Sequence, residues 1–217
     1  MVVKNIQEEV KIQIGSALLA GQLTIPPDAK GIVLFAHGSG SSRLSPRNQL
    51  VARFLNDGQI ATLLFDLLTL EEERLDQITG ELRFNISFLA ERLMQVTEWV
   101  AANPETHRFT VGYFGASTGS AAALMAAAEL KGIVRAVVSR GGRPDLAGHL
   151  LSHVQAPTLL IVGGDDYGVV ELNTQAFNLL SCKKKLEIVP KATHLFEESG
   201  TLESVGRMAT IWFKEYL

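Results

Sequence analysis

Short, wholly apolar runs recur along the chain and are separated by longer stretches of helical character. A strand that is buried on both faces gives such a continuous run, whereas a half-buried strand alternates apolar with polar residues. The runs therefore predict strands of a parallel sheet at residues 31–36, 60–65, 109–114, 134–139, 158–163 and, more briefly, 186–189.

Helical segments lie between these runs, at residues 45–57, 85–102, 117–131, 145–153, 170–181 and 202–216. Upstream, Val10, Ile12 and Ile14 alternate with polar residues, and a second alternating run after Gly15 predicts an antiparallel hairpin. Alternating strands and helices predict an α/β fold, a three-layer sandwich around a mostly parallel sheet of about eight strands. At 217 residues we expect a single domain that spans residues 1–217.

Composition narrows the function classes without choosing one. Hydrophobic residues make up 47% and charged residues 20% of the chain, as in ordinary globular proteins. The net charge of −3 gives no footprint for nucleic acid, and no apolar run approaches the ~20 residues of a membrane helix. Residues 1–11 lack the apolar core of a secretory signal, and the single cysteine, Cys182, excludes an internal disulfide. We expect a cytoplasmic protein that binds neither nucleic acid nor a membrane.

The segment Gly115-Ala116-Ser117-Thr118-Gly119 carries the most specific chemistry in the sequence. It follows one apolar run and opens an alanine-rich one, which is the strand–turn–helix context of a nucleophile elbow. A side chain two positions either side of the serine would collide with so sharp a turn, so both flanks are glycine. Ser117 is thus the candidate nucleophile. The alternative is a Gly/Ser turn that only packs a strand tightly against a helix.

A serine hydroxyl needs a base within hydrogen-bond reach, and the base needs a carboxylate to orient it. Of the five histidines, His194 is the best placed, since it follows the last strand on a loop; the alternative is a solvated surface histidine. Asp165 and Asp166 follow the strand at residues 158–163, and one of them could simply cap the next helix. We favour Asp166 as the acid, because Val169 lies three residues beyond it.

The turn HGSG, which begins at His37, follows the strand at residues 31–36. We expect the backbone N–H groups of Ser39 and Thr118 to bind the oxyanion of a tetrahedral intermediate. His37 itself is expected to pack and hydrogen-bond beneath the turn. The alternatives are a plain Gly/Ser loop or a phosphate cradle, although the Lys-Ser/Thr ending of a P-loop is missing.

Arginines in predicted loops are candidates to meet an anionic substrate. They are Arg43, Arg83, Arg140 and Arg143. We select Arg43 and Arg143 as candidate substrate-binding residues, against the alternative that each is a solvated surface residue. Within the excursion at residues 67–84 we expect a short helix with a solvated acidic face.

Together these segments resemble the α/β-hydrolase fold, and more closely the dienelactone hydrolase-like family, over nearly the whole chain. The resemblance rests on HGSGSSR after the third strand, GYFGASTG at the elbow, IVGGDDYGVVELN around the acid and ATHLFEESGTLE around the histidine. The family pattern G-x-x-D-x-x-V falls on Gly163, Asp166 and Val169, in agreement with Asp166 as the acid. The enzyme that names the family uses a cysteine nucleophile, whereas this chain has Ser117, so the resemblance implies a general esterase-like activity.

The resemblance also implies a minimal cap. Many α/β-hydrolases insert a large cap where this chain has residues 139–156, which hold only one short helix. The site is then shallow and open, with residues 67–84 as the only other candidate for a lid. Relatives of this kind also occur fused to phosphoribosyltransferase-like domains, which points to such a domain as a partner.

The sequence leads to two hypotheses. In the first, Ser117, Asp166 and His194 form a hydrolase site that cleaves a small-molecule carboxylic ester, lactone or thioester through an acyl-enzyme, with no metal or other cofactor. In the second, the chain keeps the α/β-hydrolase fold but binds a small molecule or a protein partner without catalysis, because fold alone does not determine function.

Overall fold

The computed structural model describes residues 6–217, so the expectation about a secretory signal lies outside it where it concerns residues 1–5. The strands are β1 Ile6–Ile14, β2 Ala17–Ile25, β3 Gly31–Ala36, β4 Ala61–Phe65, β5 Thr110–Ala116, β6 Val134–Arg140, β7 Thr158–Gly163 and β8 Lys184–Val189. They form one eight-stranded sheet in the order β1-β2-β4-β3-β5-β6-β7-β8. β2 is antiparallel to both of its neighbours, and β3 to β8 are parallel to one another. The predicted mostly parallel sheet is confirmed.

The first two strands form the hairpin that their alternation predicts. Gly15, at φ +55°, turns the chain so that Ile14 pairs with Ala17 and Ile6 pairs with Ile25. A left-handed backbone of this kind favours glycine. β1 begins earlier than the alternation indicated, because its first residues are exposed and carry no pattern of burial.

Helices cover both faces of the sheet. They are α1 Pro46–Asp57, α2 Leu70–Thr79, α3 Ile86–Ala102, α4 Thr118–Glu129, α5 Tyr167–Leu179 and α6 Thr201–Tyr216. α1 and α6 pack together on one face, over a core that includes Val51, Leu55 and Phe213, while α3 and α4 pack on the other face. None of the helices within residues 6–217 is long and apolar enough to cross a membrane.

The connection between β6 and β7 is short and differs in detail from the prediction. Residues 145–153, predicted as a helix, belong to the 3₁₀ segment Pro144–His153. This segment is kinked at Gly148, where φ is +55° and ψ is −133°, values that no right-handed helix contains. No large cap is inserted there, in agreement with the expected minimal cap.

α2 lies in the excursion between β4 and α3 and is longer and better anchored than the sequence indicated. Thr69 and Glu72 form a capping box at its start. Glu72 also accepts a hydrogen bond from the buried Arg92 at 2.7 Å, so it is not merely a solvated residue. At the other end, Asp76 accepts hydrogen bonds from the backbone and the side chain of Arg83. These contacts fasten the excursion to the neighbouring helix.

The parallel strands end side by side at one edge of the sheet. Ala36 pairs with Gly115, Ala116 pairs with Arg140, and Arg140 pairs in turn with Ile161. The residues that follow β3, β5, β6 and β7 therefore meet at this edge, as expected for the carboxyl ends of parallel strands.

Candidate active site

Ser117 lies at a strained turn between β5 and α4. Its backbone has φ +50° and ψ −122°, a conformation that residues with a side chain rarely adopt. A Cβ at Gly115 would come within 2.5 Å of Ser120 Cα, and a Cβ at Gly119 would overlap the backbone oxygen of Ala36. Both flanking positions therefore require glycine, as the sequence predicted.

Hydrogen bonds from neighbouring segments hold this turn in place. The Ser117 N–H donates to Arg140 O at 3.3 Å, and the Arg143 N–H donates to Ser117 O at 3.1 Å. Below the turn, Ser120 Oγ donates to Gly115 O at 2.9 Å. Backbone strain of this kind persists only where the surrounding structure determines the conformation, and these bonds supply that restraint.

His194 and Asp166 are in direct contact, with Nδ1 and Oδ2 2.7 Å apart. Asp166 immediately precedes α5 but makes no capping bond to it, so its carboxylate is available to the imidazole. Asp165 is exposed, and its backbone N–H donates to Ala192 O at 2.9 Å. Of the two carboxylates, the structure thus brings Asp166 to the histidine. A proton on Nδ1, shared with the carboxylate, leaves Nε2 as the basic nitrogen.

Ser117 and His194 lie close to Gly141. The backbone of Ser117 is bonded to Arg140 and Arg143, on either side of this glycine. A Cβ on Gly141 would lie 3.7 Å from His194 Cε1 and 3.0 Å from His194 O, and its φ of +52° also favours glycine. The Ser117 hydroxyl is not hydrogen-bonded to the imidazole in this conformation, in which His194 Nδ1 contacts Asp166.

The loop that carries His194 is braced from within. Glu198 accepts hydrogen bonds from the Thr193 N–H at 3.1 Å and from the Thr193 hydroxyl at 2.6 Å. The bond from the hydroxyl is the main cause that lowers the pKa of the Glu198 carboxyl below its usual value. Phe196, at φ +56°, is buried and anchors the loop on the sheet. The imidazole therefore extends from a restrained segment.

The two candidate oxyanion donors are close together, but the Ser39 N–H is engaged. It donates to Thr118 Oγ1 at 2.9 Å, which differs from the expectation that it would face a ligand. The physical reason is that a backbone N–H takes the nearest acceptor, and the Thr118 hydroxyl is within reach. The Thr118 N–H lies in the first turn of α4, where a helix has no acceptor of its own. An oxyanion can bind both N–H groups only after the Thr118 side chain turns away.

His37 supports the HGSG turn from below, as the sequence predicted. Its Nε2 accepts a hydrogen bond from the Leu67 N–H at 3.1 Å, and its Nδ1 lies 3.0 Å from Gly38 O. These partners assign the neutral tautomer with the proton on Nδ1. The side chain is buried, and burial lowers the pKa of His37 even though the Gly38 carbonyl acts in the opposite direction.

Comparisons with known proteins place this geometry in a family. No protein-family model matches the chain. The crystal structure of a dienelactone hydrolase from Anabaena variabilis is 55% identical, matches 98% of this chain and 99% of its own, and has a TM-score of 0.97. The chain belongs to the dienelactone hydrolase-like family of α/β-hydrolases.

Other structures resemble this dienelactone hydrolase-like chain at low identity, which shows the fold alone. Est1E from Butyrivibrio proteoclasticus is 16% identical, with 95% of this chain and 98% of that chain covered and a TM-score of 0.78. The dienelactone hydrolase-like promiscuous phosphotriesterase P91 from metagenomic libraries is 19% identical, with 98% of each chain covered and a TM-score of 0.76.

Two proteins of Mycobacterium tuberculosis, named only provisionally as phosphoribosyl transferases, are 57% identical to this chain over 210 residues. The match covers 97% of this dienelactone hydrolase-like chain and 46% of each relative. The chain therefore spans about half the length of these curated relatives.

The two arginines predicted to bind substrate are each paired with a carboxylate of the same chain. Arg43 donates to Asp66 through its backbone N–H, at 2.8 Å, and through its guanidinium. Arg143 makes two parallel bonds to Asp145, at 2.9 and 2.8 Å. Neither guanidinium is free in this conformation. Arg140, predicted in a loop, instead ends β6, and only 5% of its surface is exposed.

A groove of about 360 Å³ lies beside the HGSG turn of this dienelactone hydrolase-like chain. Leu18, Leu68 and Leu70 give it apolar walls, and Glu73 adds a carboxylate. A smaller pocket adjoins this groove, and Ser39 is among the residues that line the smaller pocket. No group of three or more His, Cys, Asp or Glu side chains that could hold a metal ion occurs within residues 6–217. Of the two spaces, the smaller pocket is the one that Ser39 lines, and both of them adjoin the HGSG turn.

Two buried asparagines support the site, although sequence reasoning did not select them. Asn173 Nδ2 donates to Gly142 O at 2.9 Å and to Val169 O at 2.8 Å, which ties α5 to the loop after β6. Asn48 Oδ1 accepts from Arg140 Nη2 at 3.4 Å. An amide on the apolar face of a helix is a usable signal, because a buried amide needs hydrogen-bond partners.

Proposed function

We propose that this chain is a serine hydrolase that cleaves a carboxylic ester, lactone or thioester through an acyl-enzyme intermediate. One observation carries the proposal. The 2.7 Å bond between His194 and Asp166 and the strained elbow of Ser117 both adjoin Gly141. The likeness to a dienelactone hydrolase supports hydrolysis as the reaction class.

In the proposed reaction, His194 acts first as a base and then as an acid. Its Nε2 takes the proton of the Ser117 hydroxyl while Oγ attacks the carbonyl carbon, and Asp166 stabilises the imidazolium that forms. The proton then passes to the leaving oxygen or sulfur, and the acyl group stays on Ser117. Water, deprotonated by His194, attacks the acyl group, releases the acid and restores the serine.

Backbone N–H groups stabilise the tetrahedral intermediates in this scheme. The Thr118 N–H is the first donor, and the Ser39 N–H is the second once the Thr118 hydroxyl moves away from it. Thr118 begins α4, so the positive end of the helix favours the same oxyanion.

The groove beside the HGSG turn supports a substrate of modest size. Its volume of about 360 Å³ is at the lower end of the range for small-molecule sites, roughly 300–1,000 Å³. The leucines at 18, 68 and 70 favour an apolar acyl or alcohol group there. Residues of the excursion at 67–84, the other lid candidate, form one side of this space through Leu68, Leu70 and Glu73.

We do not extend the phosphoribosyl transferase activity in the names of the mycobacterial relatives to this chain. Those proteins are about twice as long as the matched region. The likeness to the dienelactone hydrolase, by contrast, spans nearly all of both chains. Hydrolysis is therefore the activity that the matched region supports.

Labelling with a fluorophosphonate tests the proposed function. The reagent reacts with an activated serine, so we expect mass spectrometry to find the label on Ser117 of the wild type. Ser117→Ala and His194→Ala should lose the label. Ser199→Ala, at an exposed position before α6, should retain it and serves as the control.

The opposite result would be a well-folded wild-type protein that takes no label and turns over neither esters nor lactones. That outcome would contradict the hydrolase proposal. It would favour the second hypothesis, a non-catalytic protein that uses the same fold to bind a small molecule or a protein partner.

A further inference from the structure

Arg140 is buried without a full set of hydrogen-bond partners. Only 5% of its surface is exposed. Its Nη2 donates to Asn48 Oδ1 over a long 3.4 Å, and its guanidinium carbon lies 5.9 Å from the centre of the Phe196 ring. Its Nε is buried and has no hydrogen-bond partner among residues 6–217. An unpaired charged donor in such a position is costly.

A second arginine adds charge of the same sign. Burial, together with the charge of nearby Arg47, lowers the pKa of Arg140 to about 10. Arg47 Nε is likewise buried and unpartnered within the described part of the chain. Arg47 Nη1 lies 3.7 Å from a carboxylate oxygen of Glu197, whose side chain is 66% exposed. Within residues 6–217, this solvated Glu197 is thus the carboxylate paired with Arg47, and Arg140 has no carboxylate partner.

The amino-terminal end of α1 contributes to the same positive region. Ser45 caps this helix of 12 residues, and Arg47 and Asn48 belong to its first turn, which contains no acidic residue. Pro46 has no N–H and the Asn48 N–H donates to Ser45 Oγ, so the Arg47 N–H is the remaining donor of this turn, and the helix dipole makes this end positive. Positive charge is therefore concentrated between α1 and the end of β6.

We propose that Arg140, Arg47 and the first turn of α1 form a binding site for an oxyanion, that is, a phosphate or carboxylate group. Water can satisfy the buried N–H groups, but it cannot neutralise two like charges, whereas an oxyanion does both. Guanidinium groups match the oxygens of phosphate and carboxylate, and helix amino termini bind the same anions.

The oxyanion site adjoins the loop that carries His194. Phe196 lies over the Arg140 guanidinium, and Glu197 pairs with Arg47. A bound oxyanion competes with Glu197 for Arg47, and therefore acts on the ion pair that joins this loop to α1. The site thus offers a contact through which an anion affects the segment that holds the imidazole.

Titration of inorganic phosphate into the intact wild-type chain tests this site. Against sodium chloride of matched ionic strength, we expect saturable binding in calorimetry and a higher melting temperature. Arg140→Gln and Arg47→Gln should each weaken phosphate binding about tenfold or more, because each removes a charge-assisted donor. Arg53→Gln, exposed on the same helix, should bind phosphate as the wild type does.

Asn48→Asp keeps the test decisive if Arg140→Gln fails to fold. The new carboxylate would stand beside Arg140 and in the first turn of α1, where negative charge is favourable. We expect a higher melting temperature without phosphate and no further rise with it, because the carboxylate takes the place of the anion. A wild-type response in both Asn48→Asp and Arg47→Gln would overturn the proposal, as would a wild-type chain that responds equally to phosphate and chloride.

Competition distinguishes a free anion from one carried by a substrate. Binding of monomethyl succinate, an anionic ester, and of dimethyl succinate, its neutral counterpart, is compared in Ser117→Ala with and without saturating phosphate. Weaker binding of the anionic ester alone assigns the oxyanion site to a substrate group. Unchanged binding of both esters, with phosphate bound, assigns it to a free oxyanion, and either result supports the site.

Discussion

Thr118 has two groups with opposite effects on the proposed stabilisation of the tetrahedral intermediate by backbone N–H groups. Its N–H is a proposed donor to the intermediate, while its hydroxyl occupies the Ser39 N–H at 2.9 Å. Binding of an oxyanion by both N–H groups requires this bond to break, and such a bond is worth about 0.5–1.5 kcal/mol. In the proposed reaction, the side chain at position 118 therefore limits the rate that these two backbone donors can support.

Thr118→Val removes the competing acceptor and keeps the shape of the side chain. We expect kcat/KM for ester hydrolysis to rise about two- to tenfold, because the Ser39 N–H no longer has to leave the hydroxyl. Thr118→Ser retains an acceptor and should stay near the wild type in the same steady-state assay. A clear loss of activity in Thr118→Val would show that the hydroxyl assists the reaction instead.

Asp166 and Asp165 offer a matched pair of substitutions. Asp166→Asn keeps the size of the side chain but cannot hold the imidazole proton on Nδ1, so we expect kcat to fall roughly a thousandfold or more. Asp165→Asn alters an exposed neighbour and should change kcat by less than about twofold. Comparable losses in the two variants would contradict the assignment of Asp166 as the orienting acid.

The sequence was sufficient to predict single residues whose identity the backbone conformation requires. It was not sufficient where the role of a residue depends on whether its side chain is buried. Glycine at 115 and 119 follows from the sharpness of the elbow, so the sequence was sufficient there. Arg140 reads as the first residue of a loop, because an arginine after an apolar run normally meets solvent. Its place on the same strand face as Ala136 and Val138, two residues apart, was the signal that its side chain enters the α1 layer.

At the scale of elements, α2 depends on a few buried polar contacts. Asp76 accepts from the Leu82 N–H at 2.7 Å and from both the backbone and the guanidinium of Arg83, while only 1% of its surface is exposed. Burial alone would raise the pKa of Asp76, but these hydrogen bonds lower it overall. The ionised carboxylate therefore stabilises the fold at pH values above the ordinary pKa of an aspartate. This contribution is lost as the pH falls through the lowered pKa of Asp76.

Asp76→Asn should loosen the junction between α2 and α3. Loss of charge-assisted bonds predicts a decrease in the free energy of unfolding of about 2 kcal/mol, measured by urea denaturation at neutral pH. Limited proteolysis should show faster cleavage within residues 67–84. The exposed Asp57→Asn in α1 is the control and should match the wild type, and an equally stable Asp76→Asn would refute the structural role of Asp76.

Elements were predicted well wherever periodicity was strong, and less well at their ends. The capping box at Thr69 and Glu72 was present in the sequence and would have extended the predicted short helix to Leu70–Thr79. α5 begins at Tyr167 rather than at residue 170, because an exposed tyrosine and a glycine give no helical pattern. Gly148 interrupts the helix predicted at 145–153, since its positive φ is set by the turn.

At the scale of the whole molecule, the parallel sheet determines which distant residues meet. Alternation of strands and helices was enough to predict that Ser117, Asp166 and His194 would lie at one edge. The same alternation could not predict that the Ser39 N–H donates to Thr118 Oγ1 or that Asp165 is exposed, because both depend on the conformation of individual turns. Topology thus brings the residues together, and loop geometry decides their contacts.

Global stability should fall in mild acid because of His37. Burial lowers the pKa of this histidine from its ordinary 6.5, so the unfolded chain binds a proton more readily than the folded chain. The free energy of unfolding should therefore decline as the pH falls below about 6.5. Urea titrations at several pH values should show a weaker decline in His37→Gln, while the exposed His107→Gln should keep the wild-type slope, and identical slopes in all three would exclude His37 as the cause.

The left-handed backbone at Ser117 lowers the stability of the chain at the residue that carries the proposed chemistry. A side-chain-bearing residue at φ +50° and ψ −122° costs about 1–3 kcal/mol, and glycine would adopt this conformation without most of that cost. A glycine at position 117 is thus a change that favours folding and at the same time removes the nucleophile. If the proposed hydrolysis is the function, selection for activity retains a residue that selection for thermal robustness alone would discard.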